Sequence, residues 1–226
     1  MIPIYIGYDP RETVAFHTCA NSIIRHASQP VSIIPLALNL LSGYSETHTD
    51  SSNQFIYSRF LVPWLNGFSG WAIFIDGDMV VQADITELWE LRDHIKDVMV
   101  VKHDYQTRLK EKYLGNVNEN YPRKNWSSVI LWNCQNFPTR KLTPEFVGKA
   151  PGSYLHRFQW LQDDRIGELP PEWNWLPDEY GPNPDAKLLH WTLGAPCFDE
   201  FRNTTQADVW NAEHALSQHC EQRGGP

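Results

Sequence analysis

Asp76 and Asp78 stand on either side of Gly77, directly after the apolar run Trp71-Ala72-Ile73-Phe74-Ile75. In extended or turn geometry, side chains at this spacing leave the backbone on the same side. Like charges held so close keep one carboxyl protonated or well hydrated unless a cation sits between them. Oxygen donors suit a hard divalent ion, Mn²⁺ or Mg²⁺, which keeps open positions for phosphate oxygens. The chemistry implied is metal-assisted handling of phosphate; the plainer reading of so short a motif is an ordinary strand-end turn. Context favours the metal. The preceding run has strand length and no alternation, which suits a strand covered on both faces. Ligands of open α/β sheets bind beyond the carboxyl ends of such strands.

Two further residues have the chemistry to join this pair. Arg59 lies in an aromatic segment two residues after Tyr57. Its guanidinium can grip a phosphate, or the carboxylate of a metal ligand, through paired donors; the alternative is a surface ion pair. His190 ends the apolar stretch Leu188-Leu189 and precedes Trp191. A neutral imidazole there is a good Mn²⁺ ligand, or else a buried, hydrogen-bonded histidine.

These residues must be positioned by a framework, and the first hundred residues alternate strand and helix. Ile4 to Gly7 reads as a strand, followed by Asp9-Pro10-Arg11-Glu12, where Asp9 can cap, Pro10 can take the first helical position and Glu12 completes a capping-box pattern. The helix is expected to reach about Ala27, with Val14, Ala15, Cys19, Ile23 and Ile24 on its apolar face. Val31 to Leu36 reads as a second strand, and Gln54 to Leu65 as a helix distorted or ended near Pro63. A helix opening at Asp84 and a strand over Val98 to Val101 continue the pattern. Further on, the sequence predicts strands at Ser128 to Trp132 and Leu188 to Trp191, and helices over Tyr154 to Ile166 and from Asp208. The alternation predicts an α/β fold with a mainly parallel central sheet flanked by helices.

The chain has 226 residues and a net charge of -8, with 42% hydrophobic and 20% charged residues. It is long enough for one large domain, and its acidity argues against a nucleic-acid partner. An acidic protein that handles diphosphate needs a bound cation to reverse its local field. No apolar run approaches a membrane span, and Met1-Ile2-Pro3-Ile4 reads as a strand start rather than a signal peptide, so a cytoplasmic location is expected. Cys19, Cys134, Cys197 and Cys220 are scattered without C-x-x-C spacing and are expected to be reduced.

Several segments together resemble glycosyltransferases of the GT-A fold, a Rossmann-like architecture, and in particular glycosyltransferase family 8, the glycogenin and bacterial galactosyltransferase group. They are IPIYIGYDP at the start, FIYSRFLVPWL, FIDGDMVVQADITELWEL, SSVILWN, QDDRIGELPPEWN and HWTLGAP, in consistent order from about Ile2 to Phe198. The resemblance implies that Gly7, Tyr8 and Asp9 form the nucleotide-binding turn, that Asp76, Gly77 and Asp78 carry the metal and diphosphate, and that His190 is the third metal ligand. It implies a donor contact at Arg59 and a donor-side turn at Gly194.

By the same resemblance Asp163 and Asp164 lie near the transferred sugar, where one carboxylate can hold hydroxyls or serve as a base; as adjacent acids near a helix terminus they can equally be solvated. Ten tryptophans are present. Trp126, Ser127 and Trp173 fall in loop-like contexts suited to an acceptor, with the indole rings offering stacking faces. The resemblance departs at two points. No lysine follows Gly194 in Gly194-Ala195-Pro196-Cys197-Phe198, and Trp126-Ser127-Ser128 replaces the family's usual Asn-Ala-Gly.

The expected activity is Mn²⁺-dependent transfer, with Mg²⁺ as the other candidate ion, of a hexose from a nucleoside diphosphate sugar to a saccharide or other hydroxyl acceptor. A UDP-sugar donor and retention of configuration are implied by the resemblance. Residues 1–104 are expected to form the nucleotide- and metal-binding half of a single domain over 1–226, and residues 105–226 its acceptor side. Two rivals are a haloacid dehalogenase-type phosphatase, which also uses D-x-D after an apolar run, and a nucleotide-sugar-binding module without turnover. An EF-hand reading of Asp76, Asp78, Asp84 and Glu87 fails, because Val80 and Val81 replace a ligand and the turn glycine.

Overall fold

Trp71–Ile75 is buried along its whole length, as its unbroken apolar sequence predicts, because side chains on both faces of this strand meet packed layers. The computed structural model describes residues 1–49, 53–107, 110–112, 115, 118 and 120–219. Its elements run β1 (Ile2–Tyr8), α1 (Thr13–His26), β2 (Val31–Ala37), α2 (Val62–Leu65), β3 (Trp71–Ile75), β4 (Met79–Val81), α3 (Ile85–Glu90), β5 (Val98–Val100), β6 (Val129–Asn133), α4 (Pro144–Lys149), α5 (Gly152–His156), β7 (Ile166–Glu168), α6 (Pro177–Tyr180), β8 (Leu188–His190) and α7 (Ala207–Ser217). Short 3₁₀ turns lie between several of them.

A six-stranded sheet has the order β2-β1-β3-β6-β5-β7. β2, β1 and β3 run parallel, β5 and β7 run parallel to each other, and β6 alone opposes its neighbours β3 and β5. The sheet is thus mainly parallel, as expected. On one face Tyr5, Phe74, Val98 and Trp132 enter a core with Phe60 and Phe158. On the other, Ile4, Ile6, Ile73, Ile75 and Leu131 enter a core with Phe16 and Ile23 of α1. Two strands outside this sheet, β4 and β8, pair antiparallel and bring His190 opposite Met79.

α1 begins after a 3₁₀ turn capped by Asp9, whose side chain accepts from the Arg11 amide. Its buried face differs from the expected one. Ala15, Phe16, Thr18, Cys19, Ser22 and Ile23 are buried, whereas Val14 is 43% and Ile24 58% exposed. Small residues win this face because α1 lies close against β4, where Ser22 Oγ accepts from the Val81 amide at 3.0 Å.

Two predicted helices take other forms. Gln54 to Leu65 is a series of turns and a 3₁₀ segment (Ser58–Leu61) leading into α2, and Pro63 sits in the first turn of that helix rather than ending one. The helix expected over Tyr154 to Ile166 stops at His156, and Phe158 takes a left-handed φ of 51°. Asp163–Arg165 is a 3₁₀ turn, and Ile166 joins the sheet edge opposite Val98.

Cys19, Cys134 and Cys197 are free thiols, while Cys220 and the tail after His219 lie outside the described residues. Among the described residues no helix is long and apolar enough to cross a membrane.

Gly77 is the tightest point between β1 and the turn after β3. A Cβ there would lie 2.5 Å from the Gly7 carbonyl oxygen, a backbone atom that cannot swing away. Gly77→Ala is therefore expected to lower stability by about 1–3 kcal/mol, the usual range for overpacking. Calorimetric melting should show a drop of roughly 3–10 °C for a chain of this size. An unchanged melting temperature would mean that the contact is looser than described.

Candidate metal and substrate site

Asp76 and Asp78 leave the carboxyl end of β3 and both are buried. His190, also buried, is brought to them by the β4–β8 pairing and by the Trp191 amide, which donates to the Asp78 carbonyl at 3.3 Å. His190 Nε2 lies 3.4 Å from Asp78 Oδ1 and 4.0 Å from Asp76 Oδ2. One donor atom from each of the three residues falls within 4.8 Å of the others. Ligands sharing an ion at roughly 2.1 Å sit ~3–4 Å apart, so the three can close on one cation.

Hydrogen bonds orient the imidazole. Its Nδ1 lies 2.9 Å from Asn174 Oδ1, and Asn174 Nδ2 donates to Ser128 Oγ at 2.8 Å. With the amide oxygen facing it, Nδ1 carries a proton, which leaves Nε2, turned toward the carboxylates, as the nitrogen that a metal ion would use. Asp78 Oδ1 is buried and has no hydrogen bond among the described residues. Such an orphaned acceptor is expensive unless a cation meets it. Two carboxylates and one imidazole fit a divalent ion of the Mn²⁺ or Mg²⁺ type.

Arg59 balances half of this charge. Its Nη1 lies 2.8 Å from Asp76 Oδ1 and donates to the Ser127 carbonyl at 2.9 Å, and its guanidinium carbon lies 5.0 Å from the centre of the Phe74 ring. Burial nevertheless dominates at Asp76 and, together with the Asp78 charge, pushes its carboxyl up to about 6 against the pull of Arg59 and His190. Glu12, at the start of α1, is pushed up to about 9 by burial and then by the charges of Asp78, Asp9 and Asp76. At neutral pH it stays protonated and adds no further negative charge.

The site opens into a cavity of about 540 Å³, whose lining includes Arg59, Asp76, Asp78, Ser127 and His190. Lys112, Lys124, Tyr121, His156 and Arg157 also line it, and none of these was expected from the sequence. A signal for the lysines did exist: between positions 102 and 124 the chain carries six Lys and Arg against three Asp and Glu, a basic stretch in an acidic chain. Asn174, the orienting partner of His190, had no such signal. His156 is held well below its usual value by burial and then by neighbouring cations, so its neutral Nδ1 faces Ser127 Oγ at 2.7 Å.

The remaining expected residues stand outside the cavity lining. Gly7, next to the last residue of β1, lies beneath Gly77, and Tyr8 Oη lies 3.4 Å from Thr13 Oγ1. The Asp9 carboxylate is taken up by Arg11 and the Gln54 amide; burial works against its charge, but these donors hold it below the usual range. Gly194 makes room for the Phe201 ring, which would lie 2.3 Å from a Cβ there. Trp126 donates through Nε1 to the His103 carbonyl at 2.9 Å.

Trp173 and the Asp163-Asp164 pair also lie apart from this cavity lining. Trp173 is 1% exposed and belongs to the core that also holds Ile73 of β3 and Met79 of β4, so its apolar face is used by the fold. Asp163 and Asp164 are exposed on the 3₁₀ turn; Asp163 pairs with Arg123 at 2.5 Å, and the turn aims them at solvent because the expected helix does not continue to them.

No protein-family model matches the chain. Protein CDI of Arabidopsis thaliana is 41% identical over 216 residues, which span 92% of this chain and 83% of that protein. This chain belongs to the Protein CDI family. Among solved structures, this family member is similar to the bifunctional glycosyltransferase WbbM (TM-score 0.68, 18% identity, 95% of this chain) and spans 49% of that protein's chain. It is also similar to the galactosyltransferase LgtC in complex with donor and acceptor sugar analogues (TM-score 0.61, 11% identity, 98% of both chains). The glycosyltransferase GlyE of Streptococcus pneumoniae is a third (TM-score 0.62, 15% identity, 94% of this chain and 60% of that one). These likenesses identify the fold as GT-A.

Two outcomes test the site. The folded-state value of Asp76 lies above its reference of 3.8, so in metal-free protein its protonated form contributes stability that is complete below about pH 4 and lost as pH rises through about 6. A cation takes the carboxylate form, so the rise in melting temperature on adding Mn²⁺ should be small at about pH 5 and larger at about pH 7.5. A pH-independent rise would place the ion elsewhere. Asn174→Ala releases the imidazole, and calorimetric titration should show Mn²⁺ affinity reduced about 10–100-fold; unchanged affinity would remove His190 from the ligand set.

Proposed function

We propose that the chain is a metal-dependent glycosyltransferase of the family 8 type, moving a hexose from a nucleoside diphosphate sugar, with UDP as the nucleotide, to a hydroxyl acceptor with retention of configuration. One observation carries this reading: two buried carboxylates and an oriented imidazole meet at a cavity beyond the end of the central strand in a GT-A fold. In this reading residues 1–226 act as one catalytic unit. Residues 1–104 supply the nucleotide and metal side, residues 105–226 the acceptor side, and His190 crosses from the second half to the first.

Asp76, Asp78 and His190 would hold Mn²⁺, or Mg²⁺ in its place, and the bound ion supplies Lewis-acid stabilisation of the diphosphate leaving group. Arg59 favours the ionised form of Asp76 against burial and has its own guanidinium fixed between Asp76 and the Ser127 carbonyl, so the positive end of this pair is set before substrate arrives. Gly7 and Gly77 let the backbone at the end of β1 come close to the D-x-D turn, which suits a nucleotide lying across both. Ser127 presents a hydroxyl at the cavity wall beside neutral His156, a polar edge for an acceptor hydroxyl.

The phosphatase alternative is weaker, because Asp76, its required nucleophile, is engaged by Arg59 at 2.8 Å. A binding module without turnover shares the same site and is separated from an enzyme only by chemistry. The test is a panel of nucleotide sugars with Mn²⁺ or with chelator, read as sugar transfer and donor hydrolysis. Turnover is expected with a UDP-sugar and Mn²⁺, and Asp78→Asn should reduce it at least about 100-fold, as loss of a metal ligand or of its orientation does. Metal-dependent binding without turnover would favour the module, and hydrolysis of p-nitrophenyl phosphate would restore the phosphatase.

A further inference from the structure

The cavity carries more positive charge than the reaction proposed above requires. Among the described residues its lining holds two carboxylates, Asp76 and Asp78, and four cationic side chains, Arg59, Lys112, Lys124 and Arg157. Arg59 is matched to Asp76, and Lys124 donates to Asn118 Oδ1 at 2.5 Å. A divalent ion and the diphosphate of a donor cancel each other, so with Lys124 left aside the described lining still sets Lys112 and Arg157 against Asp78, one positive charge in excess, while Glu179 acts on Lys112 from outside that lining.

This excess is local, since the chain as a whole carries -8. Arg157 closes α5 at its carboxyl end, and its Nε is buried without a hydrogen-bond partner among the described residues. A buried guanidinium N–H without an acceptor is unfavourable, and its fork geometry matches the two oxygens of a carboxylate or phosphate. Lys112 lies within electrostatic reach of Asp78 and Asp76, and burial lowers its basicity against their pull, which a further anion in the cavity would reverse.

We infer that Arg157, with Lys112 beside the metal acids, forms a second anion subsite that takes a carboxylate or phosphate group of the substrate distinct from the diphosphate. The group can belong to the transferred sugar, as in a hexuronate donor, or to the acceptor. The inference rests on the transferase reading above for the identity of the first anion.

Calorimetric binding with Mn²⁺ separates the sources. In the donor arm UDP, UDP-glucose and UDP-glucuronate are compared; in the acceptor arm glucose, glucuronate and glucose 6-phosphate are titrated with and without UDP. In one arm the anionic ligand should bind about tenfold or more tightly than its neutral counterpart, the size expected of one charge-assisted contact. Arg157→Gln should abolish that preference, Arg157→Lys should keep part of it, and UDP affinity should stay within about twofold in both. Equal binding of anionic and neutral ligands in both arms overturns the subsite, and so does a tenfold loss of UDP affinity in Arg157→Gln, which would assign the arginine to the diphosphate. If UDP fails to bind while the anionic preference persists, the subsite stands and the transferase reading falls. Should Arg157→Gln not fold, the wild-type comparison of anionic and neutral ligands decides alone.

Discussion

The site depends on one electrostatic constraint: two carboxylates are buried side by side at the end of a strand that has no water on either face. Left to themselves they repel, and burial penalises each charge. The surrounding structure answers this in three ways. Arg59 is inserted from the segment before α2, His190 is brought in by β8, and Glu12 is held protonated so that no third negative charge arrives. Each device comes from a different part of the chain, and together they leave Asp78 Oδ1 without a hydrogen bond among the described residues, in a place that a cation fits.

The rest of the architecture reads as the means of holding that arrangement. β1 and β3 lie side by side in register, so the Gly7 carbonyl comes under Gly77, and neither position tolerates a side chain. The β4–β8 pair sets His190 by register: a shift of one residue would turn it away and present Leu189 or Trp191 instead. Asn174 then fixes which imidazole nitrogen looks inward, and it is itself tied to Ser128 at the start of β6. The geometry of the candidate metal site and that of the sheet are thus parts of one network, which is why substitutions far from the three side chains are expected to be felt there.

Much of the framework was legible because local chemistry and the final fold agree. The strand before Asp76 was readable from its unbroken apolar run, the start of α1 from Asp9 and Pro10, and the start of α3 from Asp84, whose carboxylate accepts from the Thr86 amide. Where the two disagree, long-range packing decided. Ile24 has the spacing of a core residue yet faces solvent, because β4 needs the small face of Ser22 and Cys19. Ile166 has helical neighbours in sequence but gains an edge position opposite Val98. Trp173 looked like a ligand platform and is core, since an indole in a polar-flanked loop says nothing of which face of that loop is covered.

By itself the sequence determined that two aspartates would emerge together from a buried strand, that strands and helices would alternate around them, and that their charges would suit a cation, because these follow from spacing, apolar runs and charge over short distances. Only the tertiary structure decided that Asp163 and Asp164 face solvent, that Asn174 orients His190, and that Lys112 and Arg157 enter the same cavity as the metal acids. Those placements come from pairings between residues tens of positions apart, whose energies lie in sheet register and core packing and leave no mark on neighbouring residues.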